Sequence, residues 1–175
     1  MKKLYLLFTL LGVLMLHSSC YKWRMSKGGG QIGRIPARET DVKDVAVPPG
    51  YSVEVVTQGL TFPSSVTFDD QGRLYVIEAG YSYGEVWLEP KLLRMEADGT
   101  FTTLVTGSKN GPWTSLIYYE GYLYLSEGGQ AEGGKIFRVS LDGTMKELVS
   151  GLPSLGDHHT DGIVIKDNYI YFGQG

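Results

Sequence analysis

Leu74-Tyr75-Val76, Leu123-Tyr124-Leu125 and Ile170-Tyr171-Phe172 occupy equivalent places in this sequence, 49 and then 47 residues apart. A triplet of apolar, tyrosine and apolar residues returning at that interval is the mark of a structural repeat. A second short run precedes each triplet across a turn: Val66-Thr67-Phe68, Leu116-Ile117-Tyr118 and Ile163-Val164-Ile165. Downstream, Leu93-Arg94-Met95 recurs as Phe137-Arg138-Val139, Asp98-Gly99-Thr100 as Asp142-Gly143-Thr144, and Leu104-Val105 as Leu148-Val149, each 44 residues later. The unit is four short strands joined by tight turns, which predicts an all-β fold, a β-propeller of four-stranded blades. A β-sandwich is the competing architecture, but it gives no reason for the same four strands to recur. Two blades lie between about residues 62 and 148, and a third has two strands by Gly175, so about two and a half blades are expected. Residues 51–57 read as an outer strand of a further blade. A propeller needs about 4 to 8 blades to cover its edges, so the chain is expected to be the N-terminal part of a larger ring.

Composition agrees: 24 glycines and 12 tyrosines suit short strands and tight turns. The formal charge of −3 argues against a nucleic-acid partner. The first residues have the form of an export signal: Lys2 and Lys3, an apolar run over 4–16, then Ser18 and Ser19 before Cys20. That run is short for a membrane span, which needs about 20 apolar residues. Cys20 is the only cysteine, so no disulfide forms within the chain. Its setting resembles the lipobox of bacterial lipoproteins, with His17 where leucine is usual. The resemblance implies lipidation at Cys20 and a periplasmic or outer-membrane lipoprotein held to the membrane by its lipid; a plain cleaved signal with a free thiol is the alternative. The organisation expected is therefore an export signal over 1–19, a flexible tether over 20–50 containing Lys27-Gly28-Gly29-Gly30, and propeller blades over 51–175.

Alternating strand direction places residues on the two faces of such blades. Let the strands of a blade be first to fourth from the channel outward. Connections from a fourth strand to the next first strand, and from second to third, emerge on one face. Asn110-Gly111-Pro112, Asp157-His158-His159 and the strand-ending Glu78, Glu127 and Gln174 all fall there. The opposite face receives the plain turns Asp70-Gln71-Gly72, Asp98-Gly99 and Asp142-Gly143. A long connection between Glu78 and Leu92, containing Trp87, also belongs to the polar face. It is suited to binding or to packing on a neighbouring blade.

Asp157-His158-His159-Thr160-Asp161 holds the densest set of catalytic residue types. A histidine takes a proton near neutral pH, and a neighbouring carboxylate stabilises its charged form. Consecutive side chains on extended backbone point oppositely, so the two histidines are expected to divide between the channel and the packing between blades. General base, structural hydrogen bonding and metal ligation stay open for this pair, although adjacent histidines lack the spacing of a closed zinc site. Glu78, Glu127 and Gln174, one in every blade, are expected to join blades by hydrogen bonds before they do chemistry. No phosphate-binding glycine loop and no serine nucleophile elbow occurs.

Pro49-Gly50-Tyr51-Ser52-Val53-Glu54-Val55-Val56, Leu60-Thr61-Phe62-Pro63, Asn110-Gly111-Pro112-Trp113-Thr114 and residues 151–160 together resemble the glucose/sorbosone dehydrogenase family. The resemblance runs from about Val47 to Gly175. It implies a six-bladed exported propeller that uses pyrroloquinoline quinone and calcium to oxidise a sugar, polyol or related aldehyde, passing electrons to a cytochrome or quinone acceptor. On the matching motif, His158 would be the general base and Asp157 its support. His158, Gln174 and Asn110 would face the quinone. The family's arginine–asparagine pair and calcium ligands come from later blades, and Asp161 stands where the sorbosone-like branch carries an asparagine. A noncatalytic, surface-anchored propeller that binds carbohydrate or protein near Trp87 is the second reading.

Overall fold

The computed structural model describes residues 40–80, 88–154 and 159–175. Apart from one 3-10 turn, Val42–Asp44, its regular structure is all β. Strands β1 (Pro63–Phe68), β2 (Leu74–Glu78), β3 (Lys91–Met95) and β4 (Phe101–Thr106) form one antiparallel sheet in sequence order. Strands β5 (Trp113–Tyr119), β6 (Tyr122–Glu127), β7 (Gly134–Ser140) and β8 (Met145–Leu152) form a second in the same order. A two-stranded sheet of β9 (Thr160–Lys166) and β10 (Tyr169–Gln174) follows. The repeated triplets are the second strands, and each Asp-Gly pair turns the third strand into the fourth.

The first strands stack in series: β1 packs on β5, and β5 on β9. Their burial records this arrangement. Along β1 only Ser65 and Thr67 are half-covered, whereas no residue of β5 is exposed. A central first strand is covered on both sides, so its sequence, Trp113-Thr114-Ser115-Leu116-Ile117, is apolar or hydroxylated throughout rather than alternating with charge. Tyr75, Ile77 and Leu92 of the first blade meet Trp113, Leu116, Leu123, Leu125, Phe137 and Val139 of the second in one buried cluster. Each fully buried large side chain there contributes about 1.5–3 kcal/mol.

A hydroxyl joint is repeated between blades. Ser64 Oγ donates to the Trp113 carbonyl at 2.9 Å, and Thr114 Oγ1 donates to the Thr160 carbonyl at 2.7 Å. One residue on, Ser65 Oγ accepts from Leu116 N and Ser115 Oγ accepts from Ile163 N, both at 3.1 Å. First strands of successive blades diverge too far for a ladder, so side-chain hydroxyls satisfy the backbone groups on their facing edges. A bulge makes this possible. Register shifts between Pro63 and Ser65, and between Trp113 and Ser115, leave Ser64 and Thr114 as the extra residues, turned toward the next blade. At the outer rim Gly143, with φ of +93°, lies against Leu104, where a Cβ would come within 2.6 Å of the Leu104 carbonyl oxygen.

The expected strand over 51–57 does not form: these residues have no ladder partner among the described residues, and Tyr51 and Val56 are 74% and 69% exposed. The alternation of their side chains suits a strand, but a strand exists only through the hydrogen bonds of a neighbour.

Candidate functional site

The polar face is built around the ends of the second strands. Glu78, Glu127 and Gln174 each close their strand, and each holds the connection that leads into or forms the start of the same blade's first strand. Glu78 Oε1 accepts from Thr61 N at 2.6 Å. Glu127, 3% exposed, accepts from Asn110 Nδ2 at 2.6 Å through Oε1 and from Trp113 Nε1 at 3.0 Å through Oε2. Gln174 Oε1 accepts from Thr160 Oγ1 at 2.8 Å, while its amide nitrogen donates to the Pro153 carbonyl. The three residues act as latches, structural as expected, but they fasten the start of their own blade instead of joining one blade to the next, apart from the Gln174 bond to Pro153.

Asn110 organises the connection between β6 and β7. Its Oδ1 accepts from Ala131 N and Glu132 N at 2.9 and 2.6 Å, and its Nδ2 donates to Glu127 and to the Gly133 carbonyl. Its backbone carbonyl accepts from Gly129 N and Gln130 N. An asparagine amide has two acceptor and two donor positions, and all four are filled within the protein. Asn110 is 3% exposed. In this structure it shapes the loop and has no hydrogen bond left for a cofactor.

That loop receives both flanks of the histidine segment. Before the segment, buried Ser154 donates from Oγ to the Gly129 carbonyl at 2.8 Å. After it, His159 lies against Gly128, so close that a Cβ on Gly128 would fall 2.9 Å from His159 Cβ, with Pro112 Cδ equally near. His159 Nε2 meets Gln130 Nε2 at 3.2 Å. His159 thus takes the place in the packing between blades. Asp157 and His158 lie outside the described residues, as do Cys20 and the stretch 81–87 with Trp87. The base of that long connection is described: Leu88 N donates to the Gly80 carbonyl at 2.7 Å, and Gly80, with φ of +74°, has no room for a Cβ against residues 88–90.

Glu78, Glu127, Gln174, Asn110 and His159 are therefore brought to one face, and the first four are engaged in structural hydrogen bonds. Gln174 is solvent-exposed but bonded on both sides of its amide. Of the residues expected to face a quinone, Asn110 and Gln174 have their side-chain amides engaged within the protein, and His158 lies outside the described residues. No group of three or more histidine, cysteine or acidic side chains among the described residues could hold a metal ion. Sequence reasoning missed the anchoring roles of Ser154 and Gln130. A buried serine two residues after the end of a strand carries no periodic signal.

A concavity of about 300 Å³ lies toward the opposite face, between the second blade and β9–β10. Tyr119, Tyr122 and Tyr124 line it, with Arg138 stacked 4.3 Å from the centre of the Tyr122 ring.

Four-stranded antiparallel sheets in sequence order, stacked through their first strands, define this polypeptide as a set of β-propeller blades. No family model matches the chain, and no curated protein matches it. Among solved structures it is similar to selenomethionine-substituted virginiamycin B lyase from Staphylococcus aureus, with 21% identity and a TM-score of 0.46 over 65% of this chain. The chain spans 35% of the length of that structure.

Proposed function

We propose that these blades belong to an exported quinone-dependent dehydrogenase of a sugar, polyol or related aldehyde, of the glucose/sorbosone dehydrogenase type. The observation that carries the reading is the anchoring of both flanks of the Asp157–His158 segment, through Ser154 and His159, to the loop 128–130 on the polar face. With His159 committed to packing, the proton-accepting role falls to His158, and Asp157 supports its charged form. A bound quinone would supply the hydride acceptor, which no side chain can. Asn110 and Gln174 then serve by holding the loop and the strand end in place.

The test is dye reduction by the complete exported protein supplied with pyrroloquinoline quinone and calcium across a panel of sugars and polyols. His158→Ala is expected to lower turnover by roughly 100-fold or more, while His159→Gln leaves most of it. Turnover unchanged in His158→Ala sinks the assignment.

The saturated hydrogen bonding of Asn110 and Gln174 favours a second reading, a noncatalytic propeller that binds carbohydrate. The tyrosine-lined groove suits it, because aromatic faces and a guanidinium are the groups on which sugar rings rest. Binding of an oligosaccharide lost in Tyr122→Ala and kept in His158→Ala would favour this reading over the first.

The leader and Cys20 support export with a lipid anchor. Cys20→Ser is expected to move the protein from the membrane to the soluble fraction of fractionated cells; unchanged partitioning argues against the anchor.

A further inference from the structure

Asp98-Gly99, Asp142-Gly143 and Asp161-Gly162 are the Asp-Gly pairs of the sequence, and Asn110-Gly111 is its Asn-Gly pair. At such pairs a main-chain nitrogen can attack the preceding side-chain carbonyl carbon, because glycine carries no Cβ to screen its own nitrogen. The fold treats the four differently. Asp98 and Asp142 are locked in turns: Asp98 Oδ1 accepts from Thr100 N at 3.0 Å, and Asp142 Oδ1 from Thr144 N at 2.9 Å. The nitrogens of Gly99 and Gly143 are occupied elsewhere, donating at 2.9 Å to the Glu96 and Ser140 carbonyls. Asn110 has its whole amide engaged. At Asp161, by contrast, the carboxylate meets the nitrogen of its own glycine, accepting from Gly162 N at 2.8 Å. A bulge permits this. The ladder pairs Asp161 with Gly173 and Ile163 with Phe172, which leaves Gly162 as the extra residue, at φ of +35°.

We propose that Asp161-Gly162 is a modification site, where the chain converts spontaneously to isoaspartate, and that the conversion loosens the joint between the second and third blades. The inference does not depend on the quinone reading. The hydrogen bond holds Gly162 N beside the carboxyl it attacks, a near-attack arrangement. Once the carboxyl is protonated, Gly162 N bonds to Asp161 Cγ, the bond from Cγ to its hydroxyl breaks, and the N–H proton leaves with that hydroxyl as water. The product is a five-membered cyclic imide, which water opens at either carbonyl. Opening at Cγ restores aspartate. Opening at the main-chain carbonyl carbon gives isoaspartate, whose chain runs through Cβ and Cγ and is longer by one carbon. No oxidant, reductant or second protein takes part. The added carbon enters β9 between the two bonds by which the second blade holds the third. Thr114 Oγ1 donates to the Thr160 carbonyl at 2.7 Å on one side, and Ile163 N donates to Ser115 Oγ at 3.1 Å on the other. A longer chain between them shifts one bond against the other.

Peptide mapping of the purified protein tests this after ageing at about pH 5, where part of an ordinary carboxyl population is protonated. Isoaspartate is counted by its resistance to a protease that cuts before aspartate. In the folded protein it is expected to accumulate at Asp161 roughly tenfold or more faster than at Asp98 and Asp142, whereas in urea the three should react alike. Amide hydrogen exchange at Ile163 should quicken in the aged protein and stay unchanged in aged Asp161→Glu, which keeps the charge but has to close a larger, less favoured ring. Circular dichroism before ageing confirms that this variant is folded, and the comparison of folded with unfolded wild type needs no variant. Equal rates at the three sites in the folded protein, or a lead for Asp161 that persists in urea, overturns the modification site. Isoaspartate at Asp161 with exchange at Ile163 unchanged overturns its effect on the joint.

Discussion

Glu127 shows how a single buried carboxylate can be a structural part instead of a catalyst. Its two oxygens receive the Asn110 amide and the Trp113 indole, both of which would be costly to leave unmatched in a site this dry. Glu127→Ala is expected to destabilise the chain by about 2–4 kcal/mol, and Asn110→Ala by about 1–3 kcal/mol, because it frees two loop N–H groups as well. Urea denaturation measures both; losses below about 0.5 kcal/mol would mean that water replaces the latch. Asp69 gives the pH-dependent case. Burial alone would raise its pKa, but hydrogen bonds from Arg73, Tyr75 and Gln71 outweigh that and hold its carboxyl below the ordinary 3.8. A lowered folded-state pKa means a contribution that is complete above the ordinary value and is lost as the pH falls through the folded one. Asp69→Asn should therefore cost about 2 kcal/mol near neutral pH, with the gap narrowing as the pH falls below the ordinary 3.8. A cost unchanged across that range would show that shape, not charge, matters there.

The element that distinguishes this fold is the joint between first strands. Ser65→Ala removes the acceptor of Leu116 N, and Ser115→Ala that of Ile163 N. Amide hydrogen exchange should quicken at Leu116 alone in the first variant and at Ile163 alone in the second, by roughly tenfold, the equivalent of about 1.4 kcal/mol of local opening. Equal exchange in both variants and wild type would contradict the joint. The blades themselves were legible in the sequence, because a triplet such as Leu123-Tyr124-Leu125 must pack on both sides and its period survives divergence. Glu78, Glu127 and Gln174 were legible as structural hydrogen-bonding residues for the same reason, but not as latches within their own blade, because their partners Thr61, Trp113 and Thr160 lie in the same blade and a repeat alone does not say which side a side chain turns to. Asn110 was not, since its partners Glu127 and Gly133 are 17 and 23 residues away and an isolated asparagine before Gly-Pro suits a ligand contact equally well. The hydroxyl joint went unread although Ser64-Ser65 and Thr114-Ser115 carry it in plain sight. Serine and threonine beside a strand suggest a turn unless the bulge that turns them outward is known. The strand expected over 51–57 had the right alternation and lacks a neighbour to pair with.

At the scale of the whole molecule, one face gathers the latches, the anchored flanks of Asp157–His158 and the base of the long connection at Gly80 and Leu88, while the other carries ordinary turns. That asymmetry is what a propeller offers to a ligand: a rigid rim whose loops vary and whose strands do not. The dehydrogenase reading asks the rim to hold a quinone through residues 155–158, because Asn110 and Gln174 are engaged elsewhere. The decisive measurement is an equilibrium titration of the complete exported protein with pyrroloquinoline quinone in the presence of calcium, followed by the visible spectrum of the quinone. Saturable binding that His158→Ala weakens by roughly tenfold or more, with circular dichroism unchanged, is the expected result. No saturable binding, or binding indifferent to His158, would contradict the account and leave the carbohydrate-binding propeller as the better description.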